Sequence, residues 1–286
     1  MPINTVTIKN FRNLDVDQIA LHSRLNLLTG LNASGKTSFL ESIYFLSTAR
    51  SFRTHLFNNI ICHSQDGSSD VLVFGEYTSA LKGDVNRNLI GIKKSKKRTT
   101  IRINGQDIRS TSALATLSPT LIIDPDSLSL LAGSSKVRQR FVDWGVFHVE
   151  HEFSQLWNQY IYCLKQRNTL LRAVKIDSNQ MDFWDKKLSD FGSKITDVRR
   201  EFFDAFYSEL RKVLLMFDFS DQLNCGFYQG WDKSKTLPDY LISARGKDFE
   251  KRYTQYGPHR FDLKILSKGS ARAESTFSRG QQKLFS

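Results

Sequence analysis

The sequence has few cysteines and no long hydrophobic run, and each shortage excludes a class of protein. Cys62, Cys163 and Cys225 are odd in number, far apart and without the spacing of metal ligands. A disulfide framework is therefore not expected, whereas a cytoplasmic location is. No apolar run approaches about 18 residues, the length of a membrane span, and the first residues lack a signal-peptide pattern, so we expect no membrane association.

The sequence also has fewer acidic residues than basic ones. The chain of 286 residues carries 41 Lys and Arg against 29 Asp and Glu, a net charge of +12. An excess of this size favours a polyanionic partner, with nucleic acid ahead of acidic lipid because no amphipathic membrane helix stands out. The length allows a buried core in one large domain or in two smaller ones.

Residues 30–37 have the sequence of a phosphate-binding loop, since GLNASGKT fits G-x-x-x-x-G-K-[ST]. The apolar run Leu25 to Leu28 predicts a strand before the loop, and the pattern from Phe39 to Leu46 predicts a helix after it. The loop glycines let the backbone turn its N–H groups toward a phosphate, and the helix adds its positive N-terminal end. The sequence therefore predicts a nucleotide site.

The loop residues have distinct expected roles. Lys36 is expected to reach the β- and γ-phosphates of ATP, and the Thr37 hydroxyl is expected to bind Mg²⁺. The set expected to surround the nucleotide is Gly30, Leu31, Asn32, Ala33, Ser34, Gly35, Lys36, Thr37 and Ser38.

Residues 71–110 predict β-hairpins, because apolar and alternating runs lead into Asn104-Gly105, a strong hairpin-turn signal. Basic residues cluster there and just past the helix of the phosphate loop. They can follow a DNA backbone and release its counterions. Alternatively, they form a solvated turn that protects an edge strand. The expected DNA contacts are Lys93, Lys94, Lys96, Lys97 and Arg98, with Arg50 and Arg53 as a second spot.

Two residues invite a catalytic interpretation. Asp124 ends an apolar run, as the metal-binding acid of a Walker B strand does, but Pro125 follows at once. A turn between two lobes is favoured, and a metal ligand in a metabolic kinase is the alternative. His259 has no nucleophile motif or paired acid nearby, so we expect a polar turn residue or a DNA contact.

The periodicity becomes helical between about residues 136 and 216. Apolar residues in 153–164 and in 184–202 recur at three- and four-residue spacing, which predicts a pair of long antiparallel helices joined by a turn at 175–180. Their aromatic stripe is expected to be core. The later elements expected are an extended stretch from Phe217 to Tyr228, a helix from Leu237 to Tyr253 and a strand from Phe261 to Leu266.

Residues 276–283, TFSRGQQK, resemble the signature of ABC-type ATPases, a Ser-x-Gly-Gln pattern that opens a helix. A Ser hydroxyl, a Gly N–H and a helix N-terminus make a second anion site. In ABC-type ATPases this site binds the γ-phosphate of the nucleotide that is held on the phosphate loop of the other subunit. The resemblance therefore implies a homodimer with two nucleotides between its subunits. The matching residues are Ser278, Arg279, Gly280 and Gln281.

The motifs together resemble the RecF family of SMC/ABC-type ATPases. They are the form of this signature, Gly257 to Arg260, Arg140 to Trp144, Lys165 to Asn168 and the opening Asn10-Phe11-Arg12. The resemblance implies an α/β fold, an ABC/SMC-type P-loop head with a mixed β-sheet and β-hairpins and an inserted α-helical lobe. It also implies that Arg12 contacts the nucleotide. The domains implied are an ATPase lobe, 1–134 plus 251–286, and a helical lobe, 135–250.

The resemblance further implies a function. Such a protein binds ATP and Mg²⁺, dimerises with ATP on single-stranded or gapped DNA, and helps RecO and RecR to load RecA in DNA repair, replication restart and the SOS response. The alternatives are a metabolic P-loop kinase that uses Asp124, and another ABC or SMC head. The signature at 278–281 speaks against the kinase.

One departure concerns hydrolysis. In the family, the Walker B strand and its two acids are expected beyond the signature helix, and the chain ends at Ser286. We therefore expect this chain to bind nucleotide weakly and to hydrolyse it poorly or not at all.

Overall fold

The chain forms two compact units, Met1–Leu121 and Ile122–Ser286. The computed structural model describes residues 2–62, 70–81, 84–123, 129–150, 152–173, 177–216 and 223–267. Residues 120–123, which we expect to be a turn between lobes, have no regular structure and span the division. Asp124 lies outside the described residues.

The first unit is built on a six-stranded sheet. The strands are β1 Ile3–Phe11, β2 Leu14–Ala20, β3 Val71–Leu81, β4 Asp84–Lys94, β5 Thr99–Ile103 and β6 Gln106–Ile108. Their order in the sheet is β2-β1-β3-β4-β5-β6, and every neighbouring pair is antiparallel. The predicted hairpins are confirmed. Asn104 and Gly105 form the turn between β5 and β6 with φ of 50° and 82°, a conformation that these two residue types adopt readily.

Helix α1, Lys36–Thr48, covers one face of this sheet, and α2, Ser112–Leu117, packs beside it. The helix predicted after the phosphate loop is therefore confirmed. Alternate strand residues face α1, so that the sheet has one apolar face. The core of this unit includes Val6, Ile8, Val73, Ile90 and Ile92 from the sheet and Phe39, Phe45 and Leu46 from α1.

The strand predicted at Leu25 to Leu28 is wrong. Residues 21–35 have no regular secondary structure, and Leu25 and Leu27 are 79% and 85% exposed. Among the described strands, none pairs with this segment. An apolar run that lacks a neighbouring strand leaves its peptide groups to water, so that hydrophobicity alone does not make it a strand.

The second unit combines helices with a two-stranded antiparallel sheet. Its described elements are α3 Ser129–Ala132, α4 Ser135–Val149, α5 Phe153–Arg172, α6 Ser178–Leu214, β7 Leu223–Tyr228, α7 Leu237–Lys251 and β8 Asp262–Ser267. The longest of these helices, α5 and α6, pack against each other as the predicted pair. Asp177 accepts hydrogen bonds from the N–H groups of Asn179 and Gln180 in the first turn of α6 and so caps this helix.

The position of β8 differs from the division into lobes that the resemblance implies. Residues 251–286 are expected to return to the ATPase lobe, but β8 pairs with β7 and contacts α4 in the second unit. Leu263 and Phe261 belong to the same core as α4, α5 and α6. Residues 268–286 lie outside the described residues.

Buried arginines join the helices of the second unit. Arg167 of α5 donates to Asp185 of α6 at 2.5 Å and to Asp248 of α7 at 2.6 Å. Arg199 of α6 donates to Asp143 of α4 at 2.7 Å. Removing one partner of such a buried pair leaves an uncompensated charge and typically costs about 3–5 kcal/mol. Two of the segments that carry the family resemblance thus contribute to this unit's ion pairs.

His259 belongs to the same buried network. Its Nδ1 lies 2.7 Å from the Tyr160 hydroxyl, and its Nε2 lies 3.1 Å from the Thr254 carbonyl. A carbonyl only accepts, so Nε2 carries the proton and Nδ1 accepts from Tyr160. Burial lowers the pKa of His259 to about 4. The neutral imidazole therefore serves the fold as a polar turn residue.

The network predicts a pH dependence of stability. Burial lowers the pKa of His259 from 6.5 to about 4, so that between these values the unfolded chain binds the proton and the folded chain does not. Stability should therefore fall as pH falls through this window, by about 3 kcal/mol in all. His259→Gln, which can accept from Tyr160 and donate to Thr254 without titrating, should flatten this part of the profile in urea unfolding. Equal pH slopes for both proteins would contradict the assignment.

Candidate nucleotide-binding site

The phosphate loop turns sharply into α1. Gly30, Ala33 and Gly35 have φ of 146°, 65° and 98°, and Gly35 is the N-cap of α1. Left-handed φ values let the chain coil back on itself over a few residues. The free N–H groups and the positive end of the helix dipole then meet the loop, as an anion site requires.

The Lys36 ammonium group lies within this loop. It donates to the carbonyl oxygens of Gly30 at 2.9 Å and of Leu31 at 2.6 Å. A phosphate oxygen is a stronger acceptor for an ammonium than a neutral carbonyl, so the same group can serve a phosphate. Thr37 is exposed in the first turn of α1, where its hydroxyl is accessible to a hydrated cation, whereas Ser38 is buried.

Space as well as conformation restricts positions 30 and 35 to glycine. A Cβ at Gly30 would lie 2.9 Å from the Ser34 Oγ, and one at Gly35 would lie 2.9 Å from the Leu14 Cδ2 and 3.2 Å from the Asn13 Nδ2. The loop is therefore closely packed at its first and last glycines. This cradle and the nearby ammonium fit the phosphate groups of a nucleotide.

Arg12 lies in the turn between β1 and β2, with a left-handed φ of 53°. Its Nε and Nη2 donate to the Glu41 carboxylate at 2.6 and 2.8 Å, and its backbone N–H donates to the Ile60 carbonyl at 2.6 Å. A left-handed conformation costs a residue with a Cβ roughly 1–2 kcal/mol, which these contacts offset. That Arg12 contacts nucleotide stays a prediction.

Glu41 of α1 is the residue that the sequence reasoning missed. Its side chain is fully buried, and besides Arg12 it accepts from the Ser51 Oγ at 2.5 Å and has the Arg53 Nη1 at 3.8 Å. Ser51 in turn accepts from the backbone N–H groups of Arg53 and Thr54 at 2.9 Å each. An acid within the apolar pattern of α1 was the available signal, but its partners lie elsewhere in the sequence.

The predicted DNA contacts of the hairpin separate into two groups. Lys96, Lys97 and Arg98 are exposed in the turn between β4 and β5. Lys93 is also exposed and pairs with Asp70 at 2.9 Å. These residues can meet a phosphate backbone.

Lys94 points the other way. Its Nζ donates to the Ala49 carbonyl at the end of α1 at 3.3 Å and lies 5.6 Å from the centre of the Phe45 ring. Burial, together with the charge of Arg50, lowers the pKa of Lys94. Lys94 thus supports α1 and lies close to Arg50.

The outer face of the sheet, opposite α1, carries an open groove of about 720 Å³. Leu72, Phe74 and Leu89 provide apolar surface in it. Cationic side chains line the same groove, namely Lys93, Arg98 and Arg102, of which Arg102 pairs with Asp107 at 2.7 Å. The predicted signature residues, Ser278, Arg279, Gly280 and Gln281, lie outside the described residues.

The fold and the loop define a class, a P-loop head of the SMC type. The model of the RecF/RecN/SMC N-terminal domain matches residues 2–286, which is nearly the whole chain.

Relatives narrow this class to the RecF family, to which the chain belongs. The DNA replication and repair protein RecF of Stutzerimonas stutzeri is 38% identical over 285 residues, which are 99% of this chain and 75% of that protein. The RecF protein of Pseudomonas paraeruginosa is 39% identical and has the same coverage.

Solved structures confirm the α/β head of this family. A structure of the recombination mediator protein RecF with ATP superposes with a TM-score of 0.84 at 23% identity, over 99% of this chain and 77% of that one. A second RecF structure, described as RecF-ATPrS, has a TM-score of 0.80 at 25% identity, over 99% and 78%. Among the described helices, none is long and apolar enough to cross a membrane.

The loop geometry predicts that Gly35→Ala destabilises the protein. The substitution places a Cβ at a φ of 98° and 2.9 Å from the Leu14 Cδ2. A left-handed alanine should cost about 1–3 kcal/mol in urea unfolding, and ATP affinity should fall as the cradle shifts.

Gly246→Ala is the matched control, because a Cβ there meets nothing within 4 Å. Gly246 lies inside α7, where alanine should be neutral or stabilising by up to about 1 kcal/mol. Equal stability of the two variants would contradict the proposed strain at Gly35.

Proposed function

We propose that the chain is an ATP-binding, DNA-binding recombination mediator of the RecF type. ATP binds in the loop 30–38, with Lys36 on its phosphates, Thr37 on Mg²⁺ and Arg12 beside the nucleotide. The observation that carries this proposal is the loop itself, a glycine-restricted cradle that encloses an ammonium group at 2.9 and 2.6 Å from two carbonyl oxygens. Membership of the RecF family and the RecF-ATP neighbour support it.

ATP acts as a bridge between two copies of the chain. The signature residues 278–281 of one copy complete the loop of the other, so that nucleotide state controls pairing. The dimer binds single-stranded or gapped DNA and, with RecO and RecR, promotes RecA loading in repair, replication restart and the SOS response. The RecFOR pathway named for the solved neighbours supports these partners.

DNA binds across the basic surface of the first unit. Exposed Lys96, Lys97 and Arg98 provide its centre, Lys93 its flank, and Arg50 and Arg53 extend it past the end of α1. The apolar groove beside them offers surface for unstacked bases, which single strands present and duplexes do not. A metabolic kinase would need no such surface, so DNA dependence discriminates between the two functions.

The first test concerns nucleotide-driven pairing. Sedimentation with and without ATP and gapped DNA should show ATP-dependent dimers of the chain, and Lys36→Ala should abolish them because the phosphates lose their cation. Folding stability should change by no more than about 1 kcal/mol, since Lys36 makes hydrogen bonds near the surface.

Lys247→Ala removes an exposed lysine from α7 and serves as the control, with ATP dependence unchanged. ATP-induced dimers of Lys36→Ala as stable as those of the unaltered chain would overturn the ATP-bridged dimer. Dimers that form equally well without ATP would do the same.

The second test measures the salt dependence of DNA binding. Replacing Lys96, Lys97 and Arg98 together by Gln should weaken binding for all sequences. It should lower the slope of log affinity against log salt by roughly 0.7–0.9 for each phosphate that the side chains no longer neutralise.

Lys94→Gln is the informative comparison. Lys94 faces α1 and its neighbours Lys93 and Lys96 face outward, so its replacement should lower stability and leave the salt slope nearly unchanged. A slope that is unaffected by the triple replacement would place the DNA surface elsewhere.

A further inference from the structure

A groove of about 470 Å³ lies beside the two-stranded sheet of the second unit. The side chains that line it include Arg200 of α6, Phe227 and Tyr228 of β7 and Lys264 of β8. Its volume falls within the range of roughly 300–1,000 Å³ that is typical of sites for small ligands. The groove therefore has room for one planar ring system with its polar substituents.

A glycine inside β7 leaves this groove open. Gly226 pairs with Lys264 across the sheet, and a Cβ built on it would lie 3.7 Å from the Lys264 Cβ, which is an ordinary contact distance. Its φ lies outside the left-handed region, so neither conformation nor packing requires glycine there. Glycine inside a strand often marks a place where a ligand approaches the backbone closely. The missing side chain therefore provides space that the fold does not need.

Two cations in the groove lie over aromatic rings. The guanidinium carbon of Arg200 lies 4.4 Å from the centre of the Phe227 ring, and the Lys264 Nζ lies 4.9 Å from the centre of the Tyr228 ring. Both cationic side chains are exposed. A guanidinium that covers a ring on one side can stack on a nucleobase on the other, while its N–H groups bind phosphate. Arg200 thus offers a stacking surface and a positive charge in one group.

The charges around the groove favour an anionic ligand. Lys233 joins Arg200 and Lys264 in the lining, and Asp232 is the one acid among the lining residues that the structure describes. The Asp232 carboxylate already accepts from the Ser234 N–H at 2.8 Å. Within the described part of the chain, none of the three cations forms an ion pair. They are therefore available to a phosphate.

The aromatic surface separates nucleic acid from other polyanions. An acidic peptide offers charge without a flat ring, whereas every base of a single strand has an aromatic face. In a duplex the bases are already stacked and paired, so the groove can take a base only from an unpaired stretch. The net charge of +12 agrees with a polyanionic ligand.

We propose that this groove is a further nucleic-acid site, in which one unpaired nucleotide stacks its base on Arg200 and places its phosphate against Lys264. This inference rests on the proposed function, because it needs a chain that binds DNA, and it goes beyond that function by assigning a contact within the second unit. Stacking accepts any base, so the site should tolerate any sequence.

The test measures binding of the full chain to an oligothymidylate of about 15 nucleotides. Arg200→Lys keeps the charge but loses the planar group, so the affinity should fall about tenfold while the slope of log affinity against log salt stays the same. Lys264→Gln should lower that slope by about 0.7, the effect of one phosphate contact on a single strand.

Gly226→Val fills the groove and should also weaken binding about tenfold, since the base can no longer stack. Valine suits a strand, and the Cβ has an ordinary contact distance there, so urea unfolding of this variant should show no loss of stability. Arg211→Lys is the matched control for Arg200→Lys. It makes the same exchange at an exposed position about 16 Å further along α6 and should leave binding unchanged.

The possible failures are distinguishable. Unchanged affinity in Arg200→Lys and Gly226→Val would overturn this site and leave DNA binding by the first unit standing. Competition by polyglutamate as effective as that by unlabelled oligothymidylate would assign the groove to an acidic chain and overturn the site as well. An equal loss of affinity for a duplex of the same length would contradict the unpaired nucleotide. A chain that binds no oligothymidylate at all would overturn the proposed DNA binding too.

Discussion

The buried carboxylate of Glu41 is the constraint on which the first unit depends. A charge in that position is costly unless it is paired, and it is satisfied by Arg12 from the β1–β2 turn and by Ser51 from the segment after α1. Two segments, the β1–β2 turn and the stretch that follows α1, are thereby fixed to one helix. The phosphate loop leads directly into that helix, so the geometry of the loop depends on the ion pair between Arg12 and Glu41.

The second unit also contains buried ion pairs, and there they join helices to one another. Arg167 and Arg199 are both buried, and Arg167 pairs with two aspartates and Arg199 with one, all from neighbouring helices. Arg167 and Asp143 lie in segments that also carry the family resemblance, yet their described contacts are internal. A motif can therefore mark a family through its packing as well as through its ligands, and His259, with its lowered pKa, is a further example.

Features that depend on the conformation of a short segment could be predicted from the sequence. The loop glycines, the Asn104-Gly105 turn and the α5–α6 pair follow from backbone conformation and periodicity, and each is present as expected. The strand expected at Leu25 to Leu28 failed because a strand needs a neighbour. The inward direction of Lys94 could not be foreseen, because a run of basic residues does not reveal which of them meets the end of a helix.

Local pattern alone thus decided that this chain carries a phosphate loop and that it resembles the RecF family, because both depend on residue types at fixed short spacings. Packing decided which charges face the site and which hold it together. Arg12 and Glu41 are 29 positions apart, and the contact between them exists only because β1 and α1 fold onto each other. Likewise, only the folded chain brings Asn13 and Leu14 of the β1–β2 turn against Gly35 of the phosphate loop.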